Sequence, residues 1–490
     1  MKKQELTGKL NELISKLNEN PNDFLICVEI GEIHYQLKEY ENALTFYKKA
    51  SVLNPKEIAL NLSIGLIYGK INDYNRAFDC YEQILKHNDN SEKFLKIKAG
   101  AYLNLANIYY DNNDFDKSVE LLEKAIGLSP KYSNLYMNLG NSYRAKNDIE
   151  KATSCFKKAL ELDKNNAEGR YNLGEIQLLQ GDFKNGFANY EYRLLRSINN
   201  IIEYPNFKKP RWQGENLEGK TIFVCGEQGF GDAIQFSRFF YKLKQRGAKV
   251  LYNSWESLTE LFKQNELICP DIIPLNRHKT DNDFELCFDY YIPLMSLPYV
   301  LETTKETIPF SSQYIFATQG KTGKFKGILM SDKNKFKIGI KWRGNTNIAL
   351  QRVISLKEFY VLGDVSDVSF YSFQKDAKPE EIEGTLFNLN ADLVQYFKDF
   401  SDTAGALANM DLLITNDSSM AHLGGAMGVK TWIILPYISE WRWGLDSDTS
   451  PWYDSIKLFR QKAVGDWSEV FLEVKKELLT NGKLKMENGK

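Results

Sequence analysis

The octapeptides YLNLANIY (102–109) and YMNLGNSY (136–143) are one pattern written twice about 34 residues apart, and their repetition decides the fold of the first part of the chain. Working outward from them, Ala106 and Gly140 hold the same slot as Gly31, Gly65 and Gly174. Tyrosines recur three positions later at Tyr68, Tyr109 and Tyr143. Small residues follow at Ala43, Ala77, Ser118 and Ala152, and large ones at Tyr47, Tyr81, Leu122, Phe156 and Tyr190. A unit of this length with a recurring small position describes two antiparallel helices that touch closely there. Pro55 and Pro130 end two units. The step from Gly65 to Ala106 is longer than the others. It predicts an insertion in the turn at 87–94, because insertions in stacked repeats usually fall in loops.

This segment resembles the tetratricopeptide repeat family. The resemblance implies a helical solenoid with a capping helix at 3–18, five repeats over 23–195, and a concave face lined by the first helix of each unit. On that helix Asn104, Asn138 and Asn172 stand two residues before the small slot. Each amide offers donors and an acceptor, so the row could hold the backbone of a protein or peptide acceptor. Asparagines at such positions also serve local packing and capping bonds, and both readings stay open here.

A chain of 490 residues is too long for one core and divides into two to four domains. Its net charge of −1 argues against bulk binding to nucleic acid or an anionic membrane. No apolar run reaches the roughly 18 residues of a membrane span, and the charged first twenty residues lack the core of a signal peptide. A cytoplasmic location is expected, or one peripheral to the inner face of the membrane. Six scattered cysteines form no CxxC pair, and His34, His87 and His278 show no ligand spacing, so no metal is expected.

Past a proline-punctuated connection at 198–220 the periodicity changes. Short apolar strands are predicted at 221–226, 249–253, 272–275 and 288–292, with a helix at 233–246. A second set begins at 336–342 (FKIGIKW) and continues at 369–374, 412–415 and 431–435. Strands alternating with helices indicate parallel sheets with crossover helices. The Gly- and Lys-rich stretch 318–335 reads as a hinge between two Rossmann-like halves, and the cleft between them as the ligand site.

Four motifs carry chemistry. In GEQGFGD (226–232), between a strand and a helix, Gly229 and Gly231 would let backbone approach a ligand, and the order is not the dinucleotide fingerprint GxGxxG. Asp232 is read as a general base at the carboxyl end of the sheet or as a helix N-cap. In TNDSSMAHLGGA (415–426), Asp417 ends a strand and Ser418 and Ser419 open a helix whose N–H groups attract phosphate. His422 lies one turn on, and the paired Gly424 and Gly425 suggest close approach of a ligand or of neighbouring backbone. In KWRGN (341–345), followed by Arg352, the cations Lys341 and Arg343 suit a diphosphate, with Asn345 beside them. Gln374 and Lys375 are candidates for the nucleoside. The loop WRW (441–443), with Trp452 and Tyr453, serves sugar stacking or packing. A DxD match at Asp446–Asp448 recurs elsewhere by chance and is rejected as a metal site.

Together these motifs resemble the family 9 glycosyltransferases, the heptosyltransferase-like group, in its repeat-bearing form, over residues 210–475. The resemblance rests on GEQGFGD, KWRGN, DFSDTAGALANMDLLITNDSSMAHLGGAMG and the WRW loop. It implies the GT-B fold and inverting transfer from a nucleotide-diphosphate sugar without cofactor or metal. Asp232 matches the base; Asp417, Ser418, Ser419 and His422 match the donor diphosphate site. Lys341, Arg343 and Asn345 fall at donor contacts, and Arg352 matches an arginine common in repeat-bearing members.

The fold class read from the sequence is multidomain: an all-α tetratricopeptide solenoid (1–197), a linker (198–220), and an α/β GT-B pair of Rossmann-like domains (221–318, acceptor side; 336–478, nucleotide-sugar side). The leading function is transfer of a sugar to a hydroxyl acceptor, protein or glycan, recruited by the repeats. A protein O-linked N-acetylglucosamine transferase-like enzyme and a non-catalytic repeat scaffold are the alternatives.

Overall fold

The computed structural model describes residues 3–196, 207–227, 229–274, 288–332, 336–344, 353–382, 389–390 and 392–482. Two compact units make up the chain, Met1–Gly169 and Arg170–Lys490.

The first unit opens with α1 (Lys3–Glu19). Helix pairs follow: α2 (Phe24–Gln36) with α3 (Tyr40–Leu53), and α4 (Leu60–Lys70) with α5 (Tyr74–Lys86). Then come α6 (Glu92–Asp111) with α7 (Phe115–Leu128), and α8 (Ser133–Ala145) with α9 (Ile149–Leu162). The small and large slots of the repeat meet in the three pairs whose small slot is Gly31, Gly65 or Gly140. A β-carbon added to Gly65 would lie 2.7 Å from the Tyr81 ring, and one on Gly140 2.6 Å from Phe156. The turns repeat as well. Asn72, Asn113 and Asn147 adopt left-handed backbone with φ of 61°, 62° and 61°, a conformation asparagine tolerates. Each precedes an aspartate, Asp73, Asp114 or Asp148, that caps the next helix by accepting from the N–H three residues on.

The long step between Gly65 and Ala106 does not make a longer turn. The extra residues extend α6, which has 20 residues against 13 in α8. Ser91 caps it by accepting from Phe94 N–H at 3.3 Å, and Phe94, Ala99 and Ala101 are buried along the added turns. An apolar stripe at helical spacing outweighs the general preference for loop insertions.

The second unit begins inside α10 (Ala167–Leu179), so α11 (Phe183–Tyr190) belongs to it. Its first sheet is wholly parallel, ordered β3-β2-β1-β4, from β1 (Thr221–Cys225), β2 (Lys249–Ser254), β3 (Asp271–Pro274) and β4 (Tyr290–Pro293). After β1 come α12 (Phe230–Phe236) and α13 (Phe240–Gln245); α14 (Glu256–Lys263) follows β2. Beyond β4 lie α15 (Leu297–Val300) and α16 (Gln319–Ile328). The second sheet, also parallel, is ordered β10-β9-β8-β5-β6-β7. Its strands are β5 (Phe336–Lys341), β6 (Val368–Ser372), β7 (Leu389–Asn390), β8 (Leu412–Asn416), β9 (Thr431–Leu435) and β10 (Ile456–Arg460). Between them run α17 (Pro379–Ile382), α18 (Phe400–Leu407) and α19 (Ser419–Ala426); α20 (Ser468–Glu477) closes the unit. Strands β7 and β10 are additions to the expected set. In both sheets the chain order reverses beside the first strand, β1 or β5, where α/β proteins place ligands.

The stretch expected to be a hinge is largely helical. Thr318 caps α16 by accepting from Lys321 N–H at 3.3 Å, and Lys321 and Lys324 both pair with the buried carboxylate of Asp402 in α18. A β-carbon on Gly405 would meet that of Lys321 at 2.7 Å, so α16 lies directly on α18. Arg238, fully buried, joins further segments by donating to Phe310 O at 3.3 Å, Trp452 O at 2.8 Å and Tyr314 Oη at 3.2 Å. Among the described residues no helix is long and apolar enough to cross a membrane.

Candidate functional site

The site is assembled where β1, β5 and β8 end. After Cys225, Gly226 N–H donates to Asn253 Oδ1, and a β-carbon on Gly226 would lie 2.5 Å from Asn253 O. That close approach requires glycine. Glu227 is a structural anchor: its buried carboxylate accepts Arg193 Nε at 3.1 Å, Arg193 Nη2 at 3.0 Å and Met295 N at 2.7 Å. The glycine turn is thereby tied to the segment after α11. Gly229 then caps α12 in extended backbone, and Asp232 Oδ2 reaches back to accept Gly229 N–H at 3.2 Å. Asp232 therefore stands in the first turn of α12 rather than at the N-cap read as its alternative role.

On the facing half, β8 runs to Asn416, and Asp417 behind it is buried. Ser418 holds the N-cap position of α19 in extended backbone, with its Oγ 3.2 Å from Thr415 Oγ1. His422 is buried, with Nδ1 3.0 Å from Tyr453 Oη and its ring stacked on Trp443 at 5.2 Å. Gly231 joins the halves. A β-carbon there would lie 2.8 Å from His422 Cδ2 and 3.5 Å from Ser419 Cα. The turn bearing Asp232 therefore adjoins the first turns of α19, at Ser419 and His422.

Other expectations resolve differently. Gly424 and Gly425 admit protein side chains rather than a ligand or backbone. A β-carbon on Gly424 would collide with Thr431 Oγ1, and one on Gly425 would lie 2.5 Å from the Tyr453 ring. The loop after β5 does adjoin Asp417, since a β-carbon on Gly344 would lie 3.8 Å from both Asp417 O and Ser418 Cβ. Its arginine side chain is aimed elsewhere: Arg343 pairs with Glu381 and donates to the carbonyl of Asp376. Gln374 is committed to the same brace, accepting Arg343 N–H at 3.1 Å and donating to Asp376 Oδ1 at 2.5 Å. Lys341 pairs with Thr415 in the sheet register, two residues before Asp417. Burial pushes its ammonium down to about 8, against the opposing charge of Asp376. Asn345 and Arg352 lie outside the described residues.

The asparagine row serves a local bond at Asn138, whose Nδ2 donates to Asn134 O at 2.7 Å. Asn172 is buried in the second unit.

Sequence reasoning missed Arg442. Its Nη2 pairs with Asp232 Oδ1, its Nη1 with Glu440, and its Nε donates to Gln235 Oε1 at 2.6 Å. The guanidinium lies 4.3 Å from the Trp441 ring centroid. Trp441 in turn packs edge-on against Phe187 and Tyr190 of α11, at 6.0 and 5.8 Å. Burial alone would lower the Arg442 pKa, but the charges of Glu440 and Asp232 raise it. The WRW sequence carried a signal for packing; nothing in it marked the arginine as a partner of Asp232.

Comparison with known proteins bears on the helical part. Models described as TPR repeat match residues 106–143 and 140–181, and others described as tetratricopeptide repeat match 25–57 and 58–90. Protein FlbA of Caulobacter vibrioides is 23% identical over 314 residues, 60% of this chain and 52% of that protein, a span longer than the helical repeats. The anaphase-promoting complex subunit CDC16 of Saccharomyces cerevisiae is 26% identical over 121 residues, 23% of this chain and 14% of that protein. The chain therefore spans about half the length of the first relative and far less of the second. A solved thermophilic TPR protein of Thermus thermophilus is 21% identical, covering 36% of this chain and 94% of its own, with a TM-score of 0.31. The helical part of this chain is built of tetratricopeptide repeats.

Proposed function

We propose that the α/β unit is a GT-B-type transferase that moves a sugar from a nucleotide diphosphate to a hydroxyl, and that the repeats recruit the protein or glycan bearing that hydroxyl. One observation carries the reading: Asp232 and the first turn of α19 meet through Gly231 and His422 at the carboxyl ends of β1 and β8. The acceptor oxygen attacks the anomeric carbon, its proton passes to Asp232, and the bond to the diphosphate oxygen breaks with its electrons leaving on the diphosphate. The amide groups opening α19 stabilise the negative charge that develops there. Asp232 accepts two hydrogen bonds, from Arg442 and Gly229, which leaves lone-pair positions on its carboxylate for an acceptor hydroxyl.

Thermal unfolding in the presence of ADP-, GDP- and UDP-sugars tests this, because a ligand that binds only the folded protein raises its midpoint. One sugar nucleotide is expected to shift both the wild type and Asp232→Asn. Absence of any shift in the wild type contradicts the reading. It would favour a second one, a repeat scaffold with a silent α/β unit. The pairing of Asp232 with Arg442, which a purely structural carboxylate would also make, is the observation on that side.

A further inference from the structure

Arg442 sits at the junction of the two halves with more donors than the protein uses. A guanidinium carries five N–H groups. Nε goes to Gln235, one Nη1 hydrogen to Glu440 and one Nη2 hydrogen to Asp232; the other two have no partner among the described residues. Among the residues Arg442 contacts and its two chain neighbours, three buried donors lack an acceptor among the described residues: Gln235 Nε2, Trp441 Nε1 and Trp443 Nε1. Gln235 is fully buried and bonds Arg442 through its other amide atom; Trp443 is fully buried and stacks on His422. A buried donor without an acceptor is costly, so a concentration of them calls for a group rich in acceptors. Bidentate pairing with phosphate oxygens is what a guanidinium does best.

We propose, building on the transferase reading, that Arg442 is a diphosphate-binding residue of this site: it holds Asp232 in the arrangement described here, and the oxygens of a bound nucleoside diphosphate draw it away, with Gln235 Nε2 and Trp443 Nε1 as further donors. Release from Arg442 also opens Oδ1 of Asp232 to the acceptor hydroxyl. The exchange couples occupation of the donor site to readiness of the base, which limits wasteful reaction with water. The ring of Trp441, packed on α11 and on Phe236, supports one face of the guanidinium throughout.

Isothermal titration of the 490-residue chain with ADP, GDP and UDP tests the exchange without an acceptor. Asp232→Asn removes the competing charge, so the nucleotide that binds the wild type is expected to bind this variant about tenfold more tightly, the effect of one nearby unit charge in a partly buried site. Arg442→Gln is expected to weaken binding at least tenfold, and Trp443→Phe several-fold, with helical circular dichroism unchanged. Unaltered or weaker binding by Asp232→Asn overturns the proposal, and this arm decides alone where Arg442→Gln does not fold. Wild-type affinity in folded Arg442→Gln also overturns it. Failure of the wild type to bind any of the three nucleotides removes the transferase reading itself, and the proposal with it.

Discussion

Gly231 lies so close to His422 that a β-carbon on the glycine would stand 2.8 Å from the imidazole Cδ2. Through this contact the turn after β1, which carries Asp232, packs against the helix after β8, which Ser418 and Ser419 open. The backbone of Gly231 needs no left-handed conformation. The requirement for glycine is spatial.

Substitution at the two glycines of the turn separates space from conformation. Gly231→Ala forces His422 or α12 to shift and is expected to destabilise the second unit by about 1–3 kcal/mol, the usual cost of overpacking. Gly229→Ala should be nearly neutral, since Gly229 has φ of −100° and its nearest contact, Asp232 Oδ2, would be 3.9 Å away. Thermal unfolding of both variants checks the difference.

The repeats allow the same comparison. Gly140→Ala places a methyl group 2.6 Å from Phe156 and should destabilise the first unit by about 1–3 kcal/mol. Gly127→Ala, in α7 with nothing within 4 Å, should stabilise it by up to about 1 kcal/mol through helix propensity. Chemical denaturation followed by circular dichroism reads both signs.

Much of this architecture was legible in the sequence because burial leaves a periodic trace. Small and large slots about 34 residues apart gave the helix pairs, and apolar runs such as TWIIL, fully buried in β9, gave the strands. The Asn-Asp pairs at 72–73, 113–114 and 147–148 carry a further local signal, of turn and then cap. The stretch at 318–335 misled because its glycines suggested a linker, whereas ion pairs from Lys321 and Lys324 to Asp402, some eighty positions away in the chain, hold Gln319–Ile328 as a helix. Arg442 and Asp232 are further apart still, and no local pattern announces such a partner.

Arg193 should prove structurally indispensable. Its bidentate pairing with Glu227 is buried on both sides, at 3% and 0% side-chain exposure. Arg193→Ala would strand the carboxylate and is expected to cost about 3–5 kcal/mol. Adding Glu227→Gln should recover part of that loss, which a double-mutant cycle by chemical denaturation measures.

Lys341 should impose a pH dependence on anion binding. Its ammonium, lowered by burial to about 8 from an ordinary 10.5, loses its charge as pH rises through 8. Nucleoside diphosphate affinity should fall between pH 7 and pH 9, and Lys341→Met should flatten that profile. The stability contribution runs the other way. Between about 8 and 10.5 the unfolded chain binds more protons at this residue, so its share of the unfolding free energy rises with pH. Titration calorimetry and denaturation over that range check the two slopes.

Release of nucleoside diphosphate is the direct test of the chemistry. The 490-residue chain is incubated with the sugar nucleotide that stabilises it and a hydroxyl-bearing acceptor, and the freed diphosphate is followed for wild type and Asp232→Asn. Turnover by the wild type, with at least a hundredfold loss in the variant at undiminished nucleotide binding, is the predicted result. Equal turnover by the two proteins would contradict the role of Asp232, and with it the account of this site as a sugar transferase centre.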